Sequence, residues 1–354
     1  MTAGRNVMNI RRVGLRGLLC APVVIGFVAG SVCAGPGISS ASPAAAGDGP
    51  TGPATSHVDI PQYDATRTVR VGKSPVALAV AQGSKRAYVA NYGDETVSVV
   101  DTARNSVTAT VRVGTNPEGV AVAPDGKHAY VANGSSNSVS VIDTASNTVT
   151  ATVEVGMAPI SVAVTPDGKH IYAANRNSGT VSVIDTASNT VTGTVSVGTR
   201  PSGVAVDPSG TDAFVTNQQD GTVTVIDTTR ETVVATVQVG TSPTGVVVAP
   251  DGARAYVTNS GDGTVSVIDT ASTVVATVSV GSGPMGVAIT PDGKRAYVAN
   301  SGDGTVSVID TGTSTVAEPM RVGKYPSGVA VAPDGTRAYV TNLGDGTVSA
   351  ITIA

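Results

Sequence analysis

Tryptophan is absent from this 354-residue chain, phenylalanine occurs twice, and all aromatics together make 3%. So few rings leave no stacking platform for sugars or for single-stranded nucleic acid. Charged residues are scarce at 14%, which excludes the Glu/Lys-rich surfaces of helical bundles and coiled coils. There are three histidines and two cysteines. Both cysteines, Cys20 and Cys33, fall in the first 34 residues, so the remainder has no thiol, no disulfide and no ligand set for zinc, haem or iron–sulfur chemistry. No cofactor is expected. What is plentiful is glycine (42), proline (20), valine and threonine. A chain 41% apolar with net charge −4 is not a solvated polyelectrolyte, which excludes disorder.

The chain opens with Arg5, Arg11, Arg12 and Arg16 and has no acidic residue before Asp48. An apolar run from Leu18 to Ala34 follows and ends on Val32-Cys33-Ala34, small residues that suit a signal peptidase. Residues 1–34 therefore read as an export signal, with cleavage as late as residue 46 in the Ala44-Ala45-Ala46 stretch. Pro22 and the shortness of the run disfavour the alternative, an uncleaved anchor. The Arg11-Arg12 pair sits in a context that fits a twin-arginine signal poorly. Residues 35–65 are rich in Pro, Gly, Ala and Ser and read as a flexible spacer. Taking four Arg from 22 basic residues leaves 18 against 26 acidic, a net of −8, which disfavours polyphosphate partners.

The rest is periodic. A Tyr-Val-Ala/Thr-Asn string starts at Tyr88, Tyr130, Tyr172, Phe214, Tyr256, Tyr297 and Tyr339, at steps of 42, 42, 42, 42, 41 and 42. A Val-Gly-x-x-Pro string keeps the same steps, with its Gly at 72, 114, 156, 198, 240, 281 and 323. Within a unit the pattern alternates with period two, which indicates strands rather than helices. Val149, Ala151, Val153 and Val155 alternate with Thr148, Thr150, Thr152 and Glu154 as a strand with one buried face. Ser161–Val164 is a second, small-residue strand. Pro166-Asp167-Gly168 forms a tight turn, then come strands over Ile171–Asn175 and Val181–Asp185.

Seven such units predict an all-β, seven-bladed β-propeller of four-stranded antiparallel blades over residues 66–354. The small-residue strand lies innermost, where seven strands crowd around an axis, and the Thr/Val strand outermost. Pro319 falls in the last outer strand, where an edge tolerates a missing donor. The one-residue deletion between Asp269 and Gly281 lies in the turn feeding an outer strand. The orphan strand Thr66–Val71 and the closing strand Thr347–Ile353 predict ring closure, the N-terminal outer strand completing a blade with the three C-terminal strands.

These strings resemble the YVTN family of β-propeller repeats of surface-layer and other exported proteins. The matching residues are Tyr-Val-Ala-Asn at 130–133, Tyr-Val-Thr-Asn at 256–259 and 339–342, Pro-Asp-Gly at 124–126 and Val-Ile-Asp-Thr at 141–144. The resemblance implies an extracytoplasmic binding or envelope role, and no single chemistry.

A residue present in every unit is most simply structural. Asp101, Asp143, Asp185, Asp227, Asp269 and Asp310 read as strand-end carboxylates bonding turn amides. The asparagines at 91, 133, 175, 217, 259, 300 and 342 satisfy loop backbone. His128 and His170 occupy a column filled by Arg86, Asp212, Arg254, Arg295 and Arg337 elsewhere, so they are not a metal pair, and His57 lies in the spacer. Asp262, Asp303 and Asp345 each supply one carboxylate to a Gly-Asp-Gly-Thr hairpin, which is no calcium loop.

The departures from the repeat remain. Strand direction alternates, so the Val-Gly-x-x-Pro and Asn-x-Gly-Asp-Gly loops share one face. There the odd residues are Lys73, Tyr92, Glu118, Met157, Ile160, Arg176, Arg200, Met285, Lys324 and Tyr325, a mix of apolar, aromatic and basic types suited to binding. The expected function is an exported, non-enzymatic, monomeric propeller whose loop face binds a protein or cell-envelope component, without nucleic acid and without an integral membrane domain in the mature chain. The alternative is a lactonase-like hydrolase or lyase acting at the central channel.

Overall fold

The computed structural model describes residues 65–269 and 272–353. The segment expected to be an export signal, and all of the expected spacer but Ala65, lie outside the described residues. Seven four-stranded antiparallel sheets follow one another around a ring. The inner strands are Pro75–Val80, Pro117–Val122, Pro159–Val164, Pro201–Val206, Pro243–Val248, Pro284–Ile289 and Pro326–Val331, and they define blades 1 to 7. The strand Ala65–Arg70 pairs antiparallel with Thr347–Thr352 and forms the outer strand of blade 7. The ring closes as the repeat pattern predicts. No helix among the described residues is long and apolar enough to cross a membrane.

There is no single core. The buried apolar residues form seven clusters, one at each blade–blade interface. Tyr88 and Ala90 of blade 1 pack with Val120, Val131 and Ile142 of blade 2, while Ala87 and Val89, on the other face of the same strand, pack with Tyr339 and Val348 of blade 7. Period-two alternation here divides residues between two neighbours rather than between core and water. Small side chains are required at the centre. A Cβ on Gly119 would lie 2.8 Å from the Ile160 carbonyl oxygen of the next blade, and one on Gly245 would lie 2.5 Å from that of Met285.

Outer strands are less buried than their alternation suggests. In blade 3's predecessor only Val153 of the apolar set is well buried, and Val149 is 36% exposed. Blades fan apart with radius, and a bulge between the Val141–Ala151 and Ile142–Val149 pairs breaks the alternation. Pro319 has a larger effect than an edge position implies. The last outer strand shrinks to Met320–Arg321, with an isolated bridge between Ile309 and Val316, because the ladder stops at a residue without an N–H. The 41-residue unit has a six-residue outer strand, Val274–Ser279, where those of blades 1 to 4 have seven; residues 270–271 of the shortened turn lie outside the described residues.

The repeated polar residues are structural. Asn217, fully buried, accepts from Gly198 N at 3.0 Å and donates to Thr222 Oγ1 at 3.0 Å and Thr224 Oγ1 at 2.9 Å. Asn91 repeats this with Gly72, Thr96 and Ser98. The strand-end aspartates cap their turns. Asp101 accepts from the amides of Ala103 and Arg104, and these bonds hold its carboxyl below the usual range. The hairpin aspartates lock the neighbouring loop: Asp94 accepts from Lys73 N at 2.6 Å and Asp345 from Lys324 N at 2.7 Å. Ser136 and Ser178 take that place in blades 2 and 3. A position where serine replaces aspartate serves a hydrogen bond, not a cation.

Candidate functional site: the loop-face funnel

Three columns of the repeat meet where the inner strands open onto the loop face. The first is the residue before the inner-strand proline. Ser74, Asn116, Ala158, Arg200, Ser242, Gly283 and Tyr325 occupy it, all with φ between 50° and 60°. Left-handed backbone is natural for Gly283 but costs roughly 1–2 kcal/mol at residues such as Ala158 and Tyr325. The surrounding loop imposes it, because Tyr92, Gly134 and Arg176 each donate their amide to the carbonyl of this residue at 2.9–3.0 Å.

The second column follows the proline: Val76, Glu118, Ile160, Ser202, Thr244, Met285 and Ser327. The register slips here in every blade. Such a bulge re-aims the side chain it carries. The third column follows the buried asparagine: Tyr92, Gly134, Arg176, Gln218, Ser260, Ser301 and Leu343.

Two departures in these columns are matched. Glu118 is the one acidic residue of the second, and Gly134 of the same blade is the one glycine of the third. A Cβ on Gly134 would sit 2.7 Å from Glu118 Oε1, so the glycine makes room for the carboxyl. Glu118 is 6% exposed. Burial pushes its carboxyl up to about 8, with the charge of Arg176 pulling against it. Burial and then the Glu118 charge raise the Tyr92 phenol, so Tyr92 of blade 1 lies within reach of the same charge.

Arg176 is 7% exposed and donates from Nη2 to Gln218 Oε1 at 3.0 Å, a buried bond between blades 3 and 4. Burial first, then the charge of Arg200, hold it below the usual arginine value, while Glu118 opposes them. Among the described residues neither Arg176 nor Arg200 has a carboxylate within 4 Å. Arg200 and Gln218 also open onto a groove of about 580 Å³ between blades 4 and 5, lined further by Asp220, Gln238 and Asp262.

The residues singled out in the sequence thus separate into groups. Tyr92, Glu118, Arg176 and Arg200 converge on blades 1 to 4. Met285, 5% exposed, and Ile160, 1% exposed, are buried in the second column. Lys73, Met157, Lys324 and Tyr325 stand on the outer loops, with Met157 and Tyr325 more than half exposed, and Lys73 pairs with Asp94 at 3.7 Å. Gln218 and Gly134 were not singled out, although they share a column with Tyr92 and Arg176.

Comparison with known proteins fits this frame. The family model described as "Lactonase, 7-bladed beta-propeller" matches residues 105–250. The chain is a seven-bladed β-propeller. A second model, the cytochrome D1 heme domain, matches residues 209–345, and each model spans about two-fifths of the chain. No curated protein matches. Among solved structures, the hydrazine synthase of Kuenenia stuttgartiensis is 24% identical, the match covering 79% of this chain and 96% of that chain with a TM-score of 0.74. The Cps50 (Swd1) β-propeller domain of Myceliophteria thermophila is 12% identical, covering 83% and 100% with a TM-score of 0.72. At these identities the likeness is one of fold.

The haem implied by the second model does not fit the donors of this propeller. His128 and His170 begin the second strands of blades 2 and 3, on the face opposite the funnel. Met285 is only 5% exposed, which leaves its thioether closed off from a ligand on the loop face. No group of His, Cys, Asp and Glu among the described residues is arranged to hold a metal.

Proposed function

We propose that the chain is an exported binding propeller of the YVTN type, presenting its loop face to a protein or other component of the cell envelope, without catalysis. The observation that supports this is the clustering of departures. On the loop face, Tyr92, Glu118, Arg176, Gln218 and Arg200 depart from their columns in charge and size and adjoin across four consecutive blades. A rigid ring carrying such a run of varied loop residues suits display. Capture from envelope and culture fluid tests it. Purified protein is expected to retain a partner that a variant with Arg200, Lys324 and Tyr325 all changed to Ala loses. All three side chains are exposed, so the variant should fold, and equal capture by both would remove the loop face from consideration.

A second reading has its own support. The lactonase match, residues 105–250, contains Glu118, Arg176, Arg200 and Gln218. A carboxyl that titrates near 8 is tuned for proton transfer at neutral pH. In lactone hydrolysis, Glu118 in its ionised form would take a proton from the attacking water. Arg176 would stabilise the tetrahedral oxyanion, and the ring C–O bond would break as Glu118 returns the proton to the leaving oxygen. On this reading the protein releases acid from γ-butyrolactone, and Glu118→Gln lowers the rate at least 100-fold. A pH-stat trace equal to the uncatalysed rate would dismiss it.

A further inference from the structure

On the face opposite the funnel, arginines bridge neighbouring blades. Arg86, Arg254 and Arg337 start the second strands of blades 1, 5 and 7. Each reaches into the next blade and donates from Nη1 to the carbonyl of the threonine after the strand-end aspartate: Thr144 at 2.6 Å, Thr311 at 3.2 Å and Thr102 at 2.8 Å. In blade 3 this place belongs to the shorter His170. The one side chain among the described residues that donates to the equivalent carbonyl, that of Thr228, is Tyr172, whose hydroxyl lies 3.4 Å away. A groove of about 430 Å³ opens there, lined by Asp167, His170 and Tyr172 of blade 3 and by Ser209, Thr228 and Glu231 of blade 4. We infer that this groove takes the guanidinium of an arginine side chain from a partner protein, in the place that the chain's own arginine fills at other blade boundaries.

Two departures from the repeat adjoin the groove and match each other. Glu231 stands where Asn105, Asn147 and Asn189 stand in blades 1 to 3, and Gly193 stands where Ala109, Ala151, Ala235 and Ala276 stand in other outer strands. A Cβ on Gly193 would collide with Glu231 Oε2. The glycine therefore lets the longer acid lie back against blade 3. Among the described residues Glu231 has no ion-pair partner within 4 Å, whereas Asp167 pairs with Lys169 at 3.6 Å and Asp227 with Arg230 at 2.6 Å.

The local field is reversed as well. Burial raises the phenols of Tyr88 and Tyr256 in blades 1 and 5, and the bonds and charges of Arg86 and Arg254 oppose it. Tyr172 is pushed up to about 12, by burial first and then by the charges of Glu231, Asp227 and, more weakly, Asp167, with the Thr228 bond opposing. This boundary keeps the acceptor carbonyl, gains a carboxylate and loses the cation. Between blades 2 and 3, His128 is equally short, but Asn189 stands in place of the acid, so the charge singles out the boundary of blades 3 and 4.

A guanidinium suits the groove better than an ammonium. Its planar fork of N–H donors can meet the second lone pair of the Thr228 carbonyl and the Glu231 carboxylate together. An ammonium is a compact, strongly hydrated point charge without that fork. The site goes beyond the loop-face reading and does not depend on it.

Amide NMR shifts of the purified protein, titrated with N-acetyl-L-arginine methylamide at fixed ionic strength, test this. Saturable shifts are expected at Ser209, Gly210, Thr228 and Thr229, with a Kd of about 1–10 mM. The corresponding lysine compound is expected to bind at least about fivefold more weakly, and Glu231→Gln should weaken arginine binding by about the same factor. His170→Arg, which supplies the guanidinium from within the chain as blades 1, 5 and 7 do, should abolish binding while melting no lower than the wild type. No saturable shift at these amides up to roughly 50 mM, equal binding of the lysine compound, undiminished binding by Glu231→Gln, or binding that survives in folded His170→Arg would each overturn the site. Arg200, Lys324 and Tyr325 do not line this groove, so envelope capture through the loop face can fail while this titration succeeds, and the reverse.

Discussion

A protein lacking residues 65–71 is expected to lose roughly 5 kcal/mol of stability, and with it the cooperative folding of all seven blades. The estimate sums Val69, 6% exposed in the interface between blades 7 and 1, at about 1.5–3 kcal/mol, and several ladder hydrogen bonds to Thr347–Ile351 at about 1 kcal/mol each. Such a loss is comparable to the ~5–15 kcal/mol that holds an ordinary domain together. The damage would not stay local. Thr347–Thr352 would become an open edge, and blade 7 would present a half-empty interface to blade 1. Urea unfolding against a control lacking seven residues of the upstream spacer reads the effect directly. Equal midpoints for the two deletions would mean that the ring does not depend on this strand.

Asn217→Ala is expected to cost about 3 kcal/mol, from orphaning the half-buried Gly198 amide and depriving the half-buried Thr222 and buried Thr224 hydroxyls of their donor, at roughly 1–3 kcal/mol per group left unsatisfied. The residue is fully buried where a strand, a loop and a hairpin meet. Denaturant midpoints with an unchanged slope would report the loss. A cost under about 0.5 kcal/mol, the level of an ordinary surface change, would show that the asparagine column is not what pins the Val-Gly loops.

Seven-fold repetition made the fold legible in the sequence. Each ambiguous strand was read seven times over, and Gly72 and Asn342 kept their phase from one end of the ring to the other. Ring closure was equally plain, because Thr66–Val71 had no unit of its own. The outer strands were misread because alternation marks a buried face without saying how far the neighbouring surface reaches. Val149 alternates as Val153 does, yet only Val153 lies near enough the axis to be covered. Pro319 was placed at an edge, where its missing donor was expected to cost little; the structure shows that it stops the ladder.

The funnel was half legible. Glu118, Arg176, Arg200 and Tyr92 stood out by departing from their columns. Gln218 and Gly134 depart as well, but glutamine and glycine look unremarkable in an exposed loop. Their meaning comes from contacts between blades: the Arg176–Gln218 bond spans 42 residues, and the Gly134–Glu118 fit depends on a bulge that no periodicity announces. Comparing columns rather than single residues is the signal that would have found both.

The left-handed residues before each proline have a consequence for how such a protein changes over time. Ser74, Asn116, Ala158, Arg200, Ser242 and Tyr325 share one backbone geometry, so any side chain grafted at one of them leaves the disc at the same height and pitch. The loop frame imposes the strain, which is smallest for asparagine among the non-glycine occupants and largest for β-branched residues, none of which stands in this column. Exchange among unbranched side chains there costs the chassis little while rewriting what the surface displays. The ring behaves as a turret with seven interchangeable sockets: a new specificity can arise by refitting one socket, or by copying a fitted blade into the next position, without renegotiating the interfaces that hold the turret together.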